Sequence, residues 1–143
     1  MTDIEETFAL ELARVSRSWR ARLDERLRHT GLTQARWMAL LVLSRAERRL
    51  TQRELAKRIG IEGPTLVRLV DALEQQGLVV RCPVESDRRA HHVCLTEIAA
   101  PILAEIDRIA AGLRHELLEG LSDRDIRTCV AALQLINARL DNP

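Results

Sequence analysis

No apolar run in these 143 residues approaches the roughly 18 needed to span a bilayer, so a membrane-spanning protein is not expected. The stretch from Met1 to Leu10 carries Asp3, Glu5 and Glu6, which suits neither a basic secretory leader nor an Arg-rich transit peptide. A cytoplasmic location is expected. Cysteine is scarce: Cys82, Cys94 and Cys129, an odd and widely spaced set that argues against a disulfide framework and has no zinc-ligand spacing. These cysteines read as small apolar residues in packed positions. Repeats, low-complexity tracts and linkers are absent. An enzyme would need a nucleophile–base pair or a metal set, yet no His-Glu-x-x-His motif and no phosphate loop occurs. The histidines are His29, His91, His92 and His115, and the adjacent pair would point to opposite faces of a strand. No catalytic residue, metal or cofactor is expected.

Net charge is also nearly absent, at +1, so bulk charge does not point to nucleic acid. Its distribution says more. Of 22 basic residues only Lys57 is lysine, and the segments Arg14–Arg28 and Arg45–Arg58 are locally basic. A chain with little net charge can still present one basic face, although ordinary solvated helix faces would look the same.

What is present is a sustained helical periodicity in a chain long enough for one compact protomer. Ile4, Phe8, Leu12, Val15, Trp19, Leu23 and Leu27 step by three or four along a first helix, expected to end near Gly31. Thr33 is a plausible cap for a second helix that turns Trp37, Leu40 and Leu41 inward. Leu50 begins a short link. Thr51-Gln52-Arg53-Glu54 has the spacing of a capping box for a third helix, which stops at Gly60. Pro64 then opens a fourth, whose inward stripe is Leu66, Leu69, Val70 and Leu73 before Gly77. Leu78–Cys82 and His91–Leu95 read as two strands of a hairpin around a charged loop, residues 83–90. Thr96 is expected to cap the next helix, with Pro101 loosening its first turn, and Ser122 with Asp125 to cap the last.

Two short helices joined by a tight glycine-containing turn, Thr51–Gln76, form a helix-turn-helix candidate. The outward side of the second begins with Pro64, Thr65 and Arg68, near an N-terminus whose free amides and partial positive charge favour phosphate. Arg68 has the fork for guanine and Thr65 suits a base edge or a thymine methyl. Asp71 and Glu74 lie further along, where an outward tilt would weaken their repulsion of phosphate. A helical hairpin inside any bundle has the same spacing, so these residues alone leave both readings open. A charged loop directly after such a pair is the layout of a wing, and Arg88 or Arg89 at its tip would suit the narrow minor groove. Asp87 fits there by holding an Arg in shape. A plain solvated turn is the other reading.

Several longer matches go further. The runs Leu32–Trp37, Glu54–Glu62, Pro64–Arg68 and Leu73–Val79 are accompanied by Ser86-Asp87-Arg88-Arg89-Ala90 and then Val93-Cys94-Leu95-Thr96-Glu97. Together they resemble the MarR family of winged-helix regulators, and within it the SlyA-like branch, over nearly the whole chain. Ala99 departs from the glycine of many members, which bears only on how the next helix starts. The resemblance implies a mainly α fold with a small β-hairpin wing: a winged helix-turn-helix lobe at 33–95 flanked by dimerisation helices at 1–32 and 96–143. It implies that the helix beginning near Pro64 enters the major groove, that Arg89 reads the minor groove, and that Asp87 orients it. It further implies a homodimer on a pseudo-palindromic operator in double-stranded DNA, usually as a repressor. The apolar surface of the first helix and the last two independently exceeds what one small domain can bury. A helical protein–protein adaptor without DNA binding is the alternative.

In the resembled family a small aromatic carboxylate or related anion lies between the dimerisation helices and the DNA lobe. Arg14, Arg17 and Trp37 match pocket-lining positions of SlyA-like members. An Arg pairs a carboxylate and an indole stacks on a ring. Core packing for Trp37, and solvent or subunit contact for the arginines, are the competing readings. The redox-sensing branch uses a reactive Cys near the N-terminal helices, and none precedes Cys82 here.

Overall fold

The computed structural model describes residues 3–142; Met1, Thr2 and Pro143, the ends of the expected N- and C-terminal segments, lie outside the described residues. The elements are α1 (Ile4–Arg26), α2 (Gln34–Arg45), β1 (Leu50–Thr51), α3 (Gln52–Ile59), α4 (Gly63–Gln75), β2 (Val79–Val84), β3 (Asp87–Leu95), α5 (Ala99–Leu117) and α6 (Asp123–Asp141). The helical order matches the periodicity. Two compact units form, residues 1–111 and 112–143, with the boundary inside α5.

Local chemistry explains the helix ends. The first helix stops at Arg26 rather than near Gly31, and a single 3-10 turn, Arg28–Thr30, fills the gap. Thr33 caps α2 by accepting from the Arg36 amide, and Ser122 caps α6 by accepting from the Asp125 amide. At α3 the capping box is complete: Thr51 Oγ1 accepts from the Glu54 amide at 3.2 Å while Glu54 Oε1 accepts from the Thr51 amide at 3.2 Å. Gly60 ends α3 with φ +83°, a conformation that costs a residue with a Cβ, and its amide donates to the Ala56 carbonyl at 2.9 Å.

The Arg48 guanidinium bonds the other oxygen of Glu54 and, with the Thr51 bonds, holds its carboxyl down to about 2. A depressed folded pKa contributes stability that is full above the unfolded value near 4.5 and is lost as pH falls towards about 2. Glu54→Gln is therefore expected to lower stability above pH 4.5 by no more than about 1 kcal/mol, since the carboxylate is partly solvated. The gap from wild type should close on acidification. Urea unfolding of both proteins across pH 2.5–6.5 measures it.

The sheet is antiparallel, in the order β1-β3-β2. Four expectations need correction. Leu50 is no mere link: Leu50 and Thr51 pair with Val93 and His92 as a third strand. The loop of residues 83–90 is mostly strand, because pairing continues to Val84 opposite Asp87 and leaves only Glu85 and Ser86 in the turn. Among the described residues no non-glycine residue has positive φ, so that turn lacks the primed geometry matching strand twist, and an irregularity at Pro83/Val84 accommodates it. Thr96 does not cap α5; its hydroxyl donates to the Gly77 carbonyl and its amide to the Leu78 carbonyl, fixing the end of β3 against the end of α4. Pro101 falls in the first turn of α5, where its missing amide costs no helical bond, so no loosening arises.

The core of the first unit is continuous through these elements. Leu27, Leu40, Leu50, Leu55, Leu66, Leu73 and Leu78 are fully buried and surround the helix-turn-helix. The first half of α5 is tied in by Ile106, by the Arg45–Asp107 ion pair at 2.9 Å and by a His29–Glu105 hydrogen bond at 3.1 Å. In the second unit α6 has no buried residue.

Candidate nucleic-acid interface

Packing decides which side of α4 is free. Leu66, Leu69, Val70 and Leu73 face the core, so Pro64, Thr65, Val67, Arg68 and Asp71 face outward. The helix follows Glu62, whose side chain makes no cap bond, and Pro64 occupies the first turn. The first-turn amides therefore meet solvent at the end of the helix that carries partial positive charge. All three residues proposed from sequence on this helix, Pro64, Thr65 and Arg68, are exposed together on it.

The hairpin of β2 and β3 supplies the second part. Asp87, Arg88 and Arg89 are exposed, but on the first residues of β3 rather than in a loop at the tip. The strand pairing of Val84 with Asp87 fixes them there. Asp87 Oδ1 accepts from the Arg89 backbone amide at 3.0 Å. The carboxylate thus shapes the backbone at Arg89, whose side chain is exposed.

Between the start of α3 and β3 lies a cleft of about 390 Å³, lined by Thr51, Gln52, Arg53, Asp87, Arg89, Ala90 and His91. Arg53 and Arg89 both line it, on a concave surface suited to a phosphate backbone. Arg53 was not among the residues singled out from sequence. Its signal was available: it lies in the basic segment Arg45–Arg58, at the second position of a helix whose inward residues are Leu55 and Ala56.

The pieces are an α3 packed inward through Leu55 and Ala56, an outward α4 beginning with an open N-terminus, and a basic hairpin beside them. A model of the MarR family matches residues 30–90, which hold α2 to α4 and most of the hairpin. The solved transcriptional regulator PA3341 is 50% identical, covering 95% of this chain and 99% of its own with a TM-score of 0.89. This chain belongs to the MarR family of transcriptional regulators. Its members bind DNA and are not enzymes. AbsC, a MarR family regulator from Streptomyces coelicolor, is 25% identical over 100% of this chain and 98% of its own, with a TM-score of 0.84. CouR from Rhodococcus jostii RHA1, solved with p-coumaroyl-CoA bound, shares the fold at 24% identity over 95% of each chain and a TM-score of 0.80.

The remaining sequence-derived residues have mixed surroundings. Arg14 and Arg17 are exposed on α1. Trp37 is 2% exposed and gives its indole N–H to Asp24 Oδ1 at 2.8 Å, tying α2 to α1, so neither face of the ring is open in this conformation.

Cys82 pairs with His92 and Cys94 with Val80, so the two cysteines lie diagonally on one face of the hairpin. Burial, and then the neighbouring Cys82, push the Cys94 thiol up. A raised thiol carries little thiolate at neutral pH and oxidises slowly. Mild peroxide treatment is accordingly expected to leave DNA binding unchanged, in the wild type and in Cys82→Ser/Cys94→Ser alike. A mobility-shift titration before and after treatment checks this; loss of binding in the wild type alone would establish a thiol switch.

Proposed function

We propose that this MarR-family protein acts as a homodimeric repressor that grips a pseudo-palindromic operator and is released by a small aromatic or otherwise anionic ligand. The observation that carries the reading is the pairing of an outward α4 with helices that leave apolar side chains exposed. α6 runs for 19 residues without a buried side chain, and α1 leaves Ile4, Phe8, Leu10 and Val15 exposed. Helices with such faces gain their stability from packing rather than propensity, so a second copy supplies the missing surface. Residues 1–32 and 96–143 are the dimerisation segments in this reading, and 33–95 the DNA lobe.

Twofold symmetry then gives two α4 helices for two half-sites. Pro64, Thr65 and Arg68 enter the major groove, with Arg68 forking onto guanine. Arg89 enters the minor groove, with its backbone set by Asp87, and Arg88 and Arg53 take phosphates. Half-sites lie about one turn of DNA apart, so a shift of a few ångströms in the separation of the two α4 helices mismatches the grooves.

Arg14 and Arg17 are the groups for an acidic ligand, and CouR shows that this fold can hold an aromatic CoA thioester. Trp37 joins such a site by giving up its bond to Asp24, which makes the α1–α2 junction the element that a ligand would move. The ligand acts only through its different affinity for the two spacings.

Selection of duplexes from a random library tests the reading. An inverted repeat with half-sites about ten base pairs apart is expected, with a steep salt dependence. A panel of aromatic carboxylates and their thioesters should include members that weaken binding. Enrichment of a single unrepeated site would overturn the symmetric dimer, and an inert panel the ligand.

A further inference from the structure

Asp71 and Glu74 project from the outward side of α4, 55% and 42% exposed, where two carboxylates beside DNA would repel phosphate. Neither stands alone. Arg81 of β2, only 19% exposed, bonds Asp71 Oδ1 through Nη2 at 2.7 Å and Glu74 Oε1 through Nη1 at 3.2 Å. Its backbone amide donates to the other Glu74 oxygen at 3.1 Å. Nε donates to Gln52 Oε1 at 2.7 Å and Nη2 to the Val67 carbonyl at 3.2 Å. One guanidinium therefore joins α3, α4 and the wing strand, and every one of its nitrogens is used. In the pairs Arg45–Asp107, Arg48–Glu54, Arg58–Glu47 and Arg108–Glu105 the arginine is more exposed than Arg81.

We propose that Arg81 is a positioning residue for DNA recognition: it fixes the recognition helix to the wing and cancels the two carboxylates that α4 would otherwise turn towards phosphate. The proposal rests on α4 and the hairpin being the DNA-contacting elements. Two functions are combined in one side chain. The planar fork sets an angle between α4 and β2, which lysine, a point charge on a flexible stem, does not reproduce. The charge offsets like-charge juxtaposition at the interface.

The two functions separate by mutation. Arg81→Gln removes both; Arg81→Lys keeps the charge and loses the fork; Arg81→Gln/Asp71→Asn/Glu74→Gln removes the repulsion and loses the tie. Each is titrated against the selected operator and a one-base-altered operator at several salt concentrations, and melted to establish the folded fraction. Arg81→Gln is expected to bind at least about tenfold more weakly, most severely at low salt where the repulsion is unscreened. The triple variant should regain the wild-type salt slope yet discriminate the altered operator less well, and Arg81→Lys should behave like the triple variant. Lower melting temperatures with unchanged affinity and discrimination in the folded fraction would overturn the proposal, leaving Arg81 a fold-stabilising residue. So would a triple variant that is no better than Arg81→Gln at low salt. Wild-type protein that binds no duplex would instead remove the assignment of α4 and the hairpin to DNA.

Discussion

Arg68→Ala is expected to leave the protein folded and DNA-competent while erasing most of its preference for the operator. A forked Arg–guanine contact contributes about 1–3 kcal/mol of discrimination, and a symmetric dimer carries two. The operator should therefore lose roughly thirtyfold to twenty-thousandfold in affinity, approaching the value for a scrambled duplex. Binding to the scrambled duplex should hardly change. Arg89→Ala is expected to behave differently. Its loss should weaken every duplex and lower the salt slope by about two per dimer, one for each wing. Both side chains are exposed, so their removal should cost the fold no more than about 0.5 kcal/mol. The distinction matters because both residues are basic and a charge count cannot separate them. If both variants bind every duplex as the wild type does, the outward face of α4 and the hairpin are not the interface.

Much of that interface was visible in the sequence because it depends on short-range signals. Thr51 and Glu54 announce α3, Gly60 its end, Pro64 the start of α4, and the stripe from Leu66 to Leu73 determines by subtraction which side of α4 is free. The hairpin was less legible. Asp87 to His92 has no apolar alternation, because both faces of that part of β3 are at least partly solvated, so periodicity reports a loop where pairing with β2 makes a strand. A two-residue β1 is too short for any period, and Leu50 becomes a strand residue only through Val93, 43 positions on. Arg81 was invisible for the same reason. Its partners Gln52, Val67, Asp71 and Glu74 come from two helices, and nothing in the local sequence says that a strand arginine will reach them. The outward tilt once expected to excuse Asp71 and Glu74 is unnecessary, since their charge is answered within the protomer. The hydroxyl of Thr96 shows the limit of capping rules: a Thr ahead of a helix reads as a cap, but a nearby free carbonyl at Gly77 takes the hydrogen bond instead.

Leu133→Asp is the sharper test of assembly, with the larger expected effect. Leu133 lies on α6 and is 37% exposed in the single chain, with Val130 and Leu140 exposed on the same helix. In a protein that works as a monomer, a charge at such a position changes stability by about 0.5 kcal/mol or less. In a symmetric seam it acts twice. Each copy forfeits about 1.5–3 kcal/mol of apolar burial, and each places a carboxylate in a desolvated contact, at a further cost of several kcal/mol unless it finds a partner. The dimer should therefore weaken by at least a thousandfold, to the point of dissociation at micromolar protein. Since a helix without buried residues has little to hold it in an isolated chain, loss of helical content should accompany dissociation. Wild-type protein should melt at a temperature that rises with protein concentration, as an assembly whose folding is coupled to association must, and the variant should lose that dependence. Operator affinity should fall with the dimer, because one α4 reaches only one half-site. Sedimentation velocity, circular dichroism and a mobility shift on the same sample read these three consequences. An unchanged sedimentation coefficient with intact operator binding would mean that α6 does not form the seam, and the twofold account of the operator would fall with it.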